Sequence, residues 1–194
     1  VYRRIGLPWI PPELRENRGE IEAARSDTLP DLVDLTLIRG DLHLHSNWSD
    51  GRATIQQLAE RAVELGYEYL SIADHSYGLA IANGLDADRL ATQAEEIAAV
   101  NKSVEGIRLL RASEVEVRRD GSLDFEDETL EQLDLVVASL HSGRNMSQDD
   151  MTDRILKAIE NPHVDIIAHP TGRIVEQRPG ALYHWERVFE AAIR

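Results

Sequence analysis

From residue 37 onward, hydrophobic and polar positions follow two alternating periods. Short apolar runs at 38–43, 67–73, 107–117, 135–140 and 164–168 read as strands, and between them apolar residues recur three or four positions apart, as on one face of a helix. In the first such interval Ile55, Leu58, Ala62 and Leu65 share a face, Thr54-x-x-Gln57 opens the helix as a capping box, and Gly66 closes it. Leu90, Ala94, Ile97 and Ala98 repeat the pattern over 87–100. Ser147-x-x-Asp150 caps a third helix carrying Met151, Ile155, Ala158 and Ile159, stopped at Asn161-Pro162, and the residues after Ala181 read as helical again. The long third run is expected to continue into a hairpin through Arg119-Asp120-Gly121-Ser122, because Asp-Gly between apolar runs favours a tight turn. The fourth, Leu135-Val136-Val137-Ala138-Ser139-Leu140, is apolar nearly throughout, as expected of a parallel strand buried on both faces. Strand and helix in regular alternation predict an α/β domain of parallel βα units.

Before residue 37 the pattern is irregular. Gly6-Leu7-Pro8-Trp9-Ile10-Pro11-Pro12 must be extended or turning, since each proline fixes its own φ and biases its predecessor away from helix. The stretch 17–25 is polar and suits a short helix, and Leu29-Pro30-Asp31-Leu32-Val33 a turn. Residues 1–36 are therefore read as a connector and 37–194 as the folded domain. The chain opens without an initiator Met and stops inside a helix-like segment, so it is expected to be part of something longer.

Composition narrows the chemistry. A net charge of −14 argues against duplex binding through the domain's own basic surface. Zero cysteines exclude a disulfide scaffold, a thiol nucleophile and thiolate-held zinc or iron–sulfur, and fit a cytoplasmic location. No apolar run nears the roughly 20 residues of a membrane span, so no membrane partner is expected. Gly-x-Ser-x-Gly, Walker A and dinucleotide fingerprints are all missing.

Five of the seven histidines, His43, His45, His75, His141 and His169, fall at or just beyond the C-terminal end of a predicted strand. Parallel βα folds keep their active sites there. His43 and His45, two apart, point to the same side of their strand. Asp50 lies on the loop that follows, and Asp74 is read as the partner that orients His75. On the third strand Glu114 and Glu116 alternate onto one face, and Glu114 lies nearer the level of the other ligands. His141 and His169 each lead into a Gly-Arg loop, Gly143-Arg144 and Gly172-Arg173, suited to holding phosphate. Five imidazoles with two or three carboxylates suit Zn²⁺, Mn²⁺ or Fe²⁺ and exceed what one ion can use, so two to three divalent ions are expected. Neighbouring ions clamp the attacking and leaving oxygens of a phosphoester.

In that order, His43-x-His45-x4-Asp50, Asp74-His75, Glu114, His141-Ser142-Gly143 and His169-Pro170-Thr171-Gly172-Arg173 resemble the PHP (polymerase and histidinol phosphatase) phosphoesterase family. Residues 6–16 and 19–24 resemble the joint between polymerase core and PHP domain in bacterial and archaeal family X DNA polymerases. The resemblance implies a distorted (βα)7 barrel, of which about five βα units are present, with a trinuclear metal site. It also implies a 3′–5′ exonuclease for DNA repair, working on DNA 3′ ends beside a polymerase core in cis. Carried over by motif, His43 and His45 bind one metal, Glu114 bridges it to a second held by His141 and His169, and Asp50 and His75 bind the third. Asp50, Glu114, Arg144 and Arg173 are the expected catalytic groups. The family's late Asp-x-His has no match after His169, which leaves the domain C-terminally incomplete on this reading. A stand-alone phosphatase for a small phosphomonoester such as histidinol phosphate, a non-catalytic structural PHP module and an amidohydrolase are the competing readings.

Overall fold

Strand formation begins two residues later than the hydrophobic run predicts. Asp34 caps a 3₁₀ turn at Leu35–Leu37, its side chain accepting from Thr36 N, and β1 then covers Gly40–Leu44. The computed structural model describes residues 1–194 and resolves them into two units, Val1–Ile38 and Arg39–Arg194.

Within the first unit, 3₁₀ turns at Tyr2–Ile5 and Pro12–Leu14 precede a short helix α1, Glu20–Arg25. The helix is shorter than the polar stretch 17–25 because Asn17 takes a positive φ, and the Glu20 carboxylate accepts from the backbone N–H of Asn17 and Arg18. Arg15 ties this segment together by donating twice to Ile10 O, at 3.0 and 2.8 Å.

The second unit alternates as predicted. Helix α2 (Ile55–Glu64) follows β1, with both halves of the Thr54/Gln57 capping box formed. Strand β2 (Tyr69–Ile72) leads to α3 (Ala87–Ser103), capped by Asp86, and β3 (Arg108–Glu116) to a short α4 (Asp127–Leu130). After β4 (Leu135–Ser139) comes α5 (Gln148–Ile159), capped by Ser147, and after β5 (Ile166–Ile167) comes α6 (Trp185–Ala192). The hairpin expected after β3 reduces to one antiparallel bridge, Val117 with Leu123, around a turn closed by Gly121 N to Arg118 O. It goes no further because Asp124 turns back to accept from Ser76 Oγ and Gly78 N.

All neighbouring strands are parallel and their order is β1-β2-β3-β4-β5. In a flat sheet the four steps from β1 to β5 would separate the edges by about 19 Å, yet the rings of His43, on β1, and His169, just past β5, lie 5.6 Å apart. The sheet is therefore curled, like part of a barrel, with the histidines on its concave side. Below them the inner face carries Ala73, Ala112, Val137 and Ala168, small side chains that a tight curl admits. The outer face is larger and apolar. Leu70, Ile72 and Leu109 pack on Ile55, Ala59 and Ala62 of α2 and Ile97 and Val100 of α3. Val115, Val136 and Leu140 pack on Met151, Ile155 and Ala158 of α5 and Val188 of α6. Each fully buried aliphatic side chain contributes about 1.5–3 kcal/mol, so the helical layer fixes the curl that brings the strand ends together. No helix is long and apolar enough to cross a membrane.

Candidate metal centre

Glu114 stands at the middle of the concave rim, 1% exposed. Its Oε2 lies 3.2 Å from His43 Nε2, 3.3 Å from His45 Nε2 and 2.9 Å from His75 Nδ1. Its Oε1 lies 3.3 Å from His141 Nε2 and 2.8 Å from His169 Nε2. Five imidazoles from four strand ends thus surround one carboxylate. Asp50 reaches in from the loop after β1, with Oδ1 3.1 Å from His45 Nδ1 and Oδ2 3.6 Å from His75 Nε2. All seven residues expected to hold metal line one open pocket.

Local backbone irregularities aim these groups. The β1–β2 register shifts by one residue between Asp41 and Leu44, and Asp41 Oδ1 accepts from His43 N at 2.9 Å; such a bulge beside a site re-aims a side chain. His169 holds a φ of +26°, a sparsely populated region for a non-glycine residue that costs on the order of 1–3 kcal/mol.

The electrostatics belong to a site built for positive charge. Burial disfavours the ionised form of Glu114, but the imidazoles of His141, His169, His43 and His75 around it overcome that and hold the carboxyl far below the usual range. Burial likewise opposes ionisation of Glu116, and hydrogen bonds from the His141 ring, Ser142 Oγ and both backbone N–H groups bring it down to about 2. Burial opposes protonation of His141, yet its bonds to Glu114 and Glu116 raise it to about 9. His45 goes the other way, lowered by burial and then by the neighbouring His75.

The ligand atoms fall into three groups: His43, Glu114 and His169; His45, Asp50 and His75; and His75, Glu114 and His141. His43 therefore groups with His169 across the rim, although its ring also stacks on His45 with centroids 5.2 Å apart. His45 Nδ1 and His75 Nδ1 are buried and make no hydrogen bond, close as they are to carboxylate oxygens. Orphaned buried nitrogens are costly, and lone pairs converging on a shared point are what a divalent cation satisfies. The donor set fits the expected Zn²⁺, Mn²⁺ or Fe²⁺.

Two supporting residues have tasks that differ from their sequence reading. Asp74 was expected to orient His75, but adjacent strand residues face opposite ways. Asp74 is instead fully buried, accepting from Ser46 N and Oγ, Ser49 N and Oγ, and Gln93 Nε2, and so fastens the loop that carries Asp50. The orienting carboxylate in the site is Glu116, with Oε2 2.8 Å from His141 Nδ1 and Oε1 accepting from Ser142 Oγ at 2.7 Å. This leaves His141 Nε2 turned to Glu114. The period-two alternation that placed Glu116 beside Glu114 was its signal. Arg144 donates Nε to Leu140 O and its guanidinium lies against Gly172, whereas Arg173 is exposed, its backbone N donating to Thr171 Oγ1.

The PHP domain family model matches residues 41–178. The DNA polymerase/3′–5′ exonuclease PolX of Bacillus subtilis (strain 168) is 45% identical over 191 residues, 98% of this chain and 33% of that protein. A probable phosphatase of Thermoanaerobacter sp. (strain X514) is 33% identical over 136 residues, 67% of this chain and 53% of its own. Among solved structures, a histidinol phosphate phosphatase from Lactococcus lactis subsp. lactis Il1403, complexed with zinc, L-histidinol and phosphate, matches 63% of this chain and 54% of its own at 17% identity, with a TM-score of 0.41. The chain thus spans a third to about half the length of these relatives.

Proposed function

The chain belongs to the PHP domain family, and on that premise we propose that residues 37–194 are a metal-dependent phosphoesterase that trims DNA from the 3′ end, joined through residues 1–36 to a polymerase core in a longer protein. The observation that carries this reading is the convergence of five imidazoles and Asp50 on buried Glu114, with two orphaned ring nitrogens among them. On this reading His43, His45, Asp50, His75, Glu114, His141 and His169 hold two to three divalent ions. Bound there, such ions supply Lewis acidity to the phosphoryl group and stabilise the entering and leaving oxygens of an in-line displacement. The protein's own residues do the rest. Glu114 spans the groups through its two oxygens, Asp50 is the half-exposed carboxylate on the solvent side, and Arg144 and Arg173 hold the non-bridging oxygens of the scissile phosphate.

A stand-alone phosphatase is the second reading, and the probable phosphatase among the relatives favours it. The 191-residue match to PolX favours the exonuclease, because it must include most of the first unit, whereas a 136-residue match need not. The test is to offer the Mn²⁺-loaded protein both a single-stranded oligonucleotide and histidinol phosphate. The expected result is turnover of the oligonucleotide at least about 10²-fold above the phosphomonoester in kcat/KM, a difference of about 2.7 kcal/mol in transition-state stabilisation. Preference for the monoester would overturn the proposal.

A further inference from the structure

Beside the metal centre lies a group of arginines without counterions, in a chain whose net charge is −14. The two loops that carry it start from neighbouring ligands, since the His141 and His169 rings are 5.3 Å apart. Gly143, at φ +62°, leaves room for a guanidinium: a Cβ there would stand 3.0 Å from Arg119 Nη1. Gly172, at φ +54°, does the same for Arg144, whose Cζ would be 2.8 Å from the added Cβ. Arg178 Nε donates to the carbonyl of the same Gly172 at 2.8 Å. Arg119, Arg144 and Arg178 therefore step along the rim from the β3 side to the β5 side.

Each of the three guanidiniums lacks an ion pair. Arg144 is held by Leu140 O, Arg178 by Gly172 O, and Arg119 has neither a hydrogen bond nor a carboxylate within reach. The nearest buried carboxylate, Glu116, is committed to His141 and Ser142. Burial, and then the neighbouring charge of Arg178, lowers Arg144 from its ordinary value, so the cations feel one another. Behind them Arg154, its side chain fully buried, donates to Val117 O, Arg118 O and Ser142 O and fastens the Arg119 turn to the Gly143 loop. Like charges crowded on a braced scaffold, with acid plentiful elsewhere in the chain, are arranged for an external anion.

We propose that Arg119 and Arg178, flanking Arg144 at the scissile phosphate, form an extended anion subsite that takes phosphates of a single-stranded phosphodiester chain beyond the one being cleaved. This rests on the phosphoesterase reading above and adds a reason for a strand, rather than a small monoester, to be the substrate. Several guanidiniums in a row match a ligand with several phosphates, whereas a monoester has nothing to place on Arg119 and Arg178.

The test is fluorescence anisotropy of a dye-labelled single-stranded oligonucleotide with the metal-loaded protein, using inorganic phosphate and a mononucleotide as competitors. Arg119→Ala and Arg178→Ala change exposed side chains and should fold normally. Each is expected to raise the oligonucleotide Kd about 5- to 10-fold and to reduce the slope of log K against log salt by about 0.7, the value for one lost single-strand phosphate contact. Competition by the mononucleotide and by phosphate should not change. Arg61→Ala, an exposed arginine on α2 paired with Glu64, should alter neither. Oligonucleotide binding and cleavage that persist unchanged in both variants would overturn the subsite while leaving the exonuclease reading in place. Loss of mononucleotide competition to the same degree as oligonucleotide binding would also overturn it. A wild-type protein that turns over a phosphomonoester but neither binds nor cuts the strand would overturn both.

Discussion

Glu116 and His141 form a pair in which each holds the other charged. The His141 ring is raised to about 9 by Glu114 and Glu116, against the 6.5 of an ordinary imidazole. Its contribution to metal-free stability is therefore fully present below about pH 6.5 and lost as pH rises through about 9. Glu116, lowered to about 2 from 4.5, contributes above about pH 4.5 and loses that contribution as pH falls through about 2. A cation needs the neutral ring, so metal affinity is expected to climb from neutral pH to about pH 9 and then level off. Histidine NMR of the metal-free protein checks the origin. His141 should titrate near pH 9 and fall toward the ordinary value in Glu116→Gln; a wild-type midpoint near 6.5 would contradict the pairing. Glu116 was placed on the right face by its spacing from Glu114, but its task was not legible. That depends on the Ser142 loop folding over it, a contact between residues far apart in sequence.

Among the elements, the loop between β1 and α2 illustrates what local sequence reveals and what it hides. The capping box at Thr54 was legible because both partners lie within one turn, and the structure forms both of its bonds. The brace under the preceding residues was not, because Asp74 and Gln93 come from β2's end and α3. Replacing Asp74 by Ala leaves the backbone donors of Ser46 and Ser49 and the amide of Gln93 buried without acceptors, at about 1–3 kcal/mol each. Urea unfolding of Asp74→Ala should show a loss of at least about 3 kcal/mol, along with fewer ions bound, because Asp50 rides on that loop. A loss below about 1 kcal/mol would show that the brace is not what orders the loop. Arg154 is the other element-level surprise. A charged residue on a helix normally reads as solvated, but the carbonyls that accept from it belong to a turn after β3 and a loop after β4.

For the molecule as a whole, the parallel α/β plan was legible because five apolar runs and the intervening helical periods are local patterns. The rim followed from them, since parallel strands all deliver their C-terminal ends to one side. The degree of curl was not legible in any one run. It is admitted by small inner residues, Ala73, Ala112, Val137 and Ala168, and fixed by the helices packed outside, and it decides that His43 meets His169 across the rim. The proposed role of the groups gathered around Glu114 is to hold divalent metal for hydrolysis of a DNA strand from its 3′ end. It is tested most directly by digestion of a 5′-labelled single-stranded oligonucleotide with Mn²⁺, with chelator, and with Mn²⁺ restored, for the wild type and Glu114→Gln. The expected result is a ladder descending from the 3′ end that stops with chelator, resumes on restoration and is absent from a folded Glu114→Gln variant. A ladder unaffected by chelation or by Glu114→Gln, or no cleavage by the metal-loaded wild type, would contradict it.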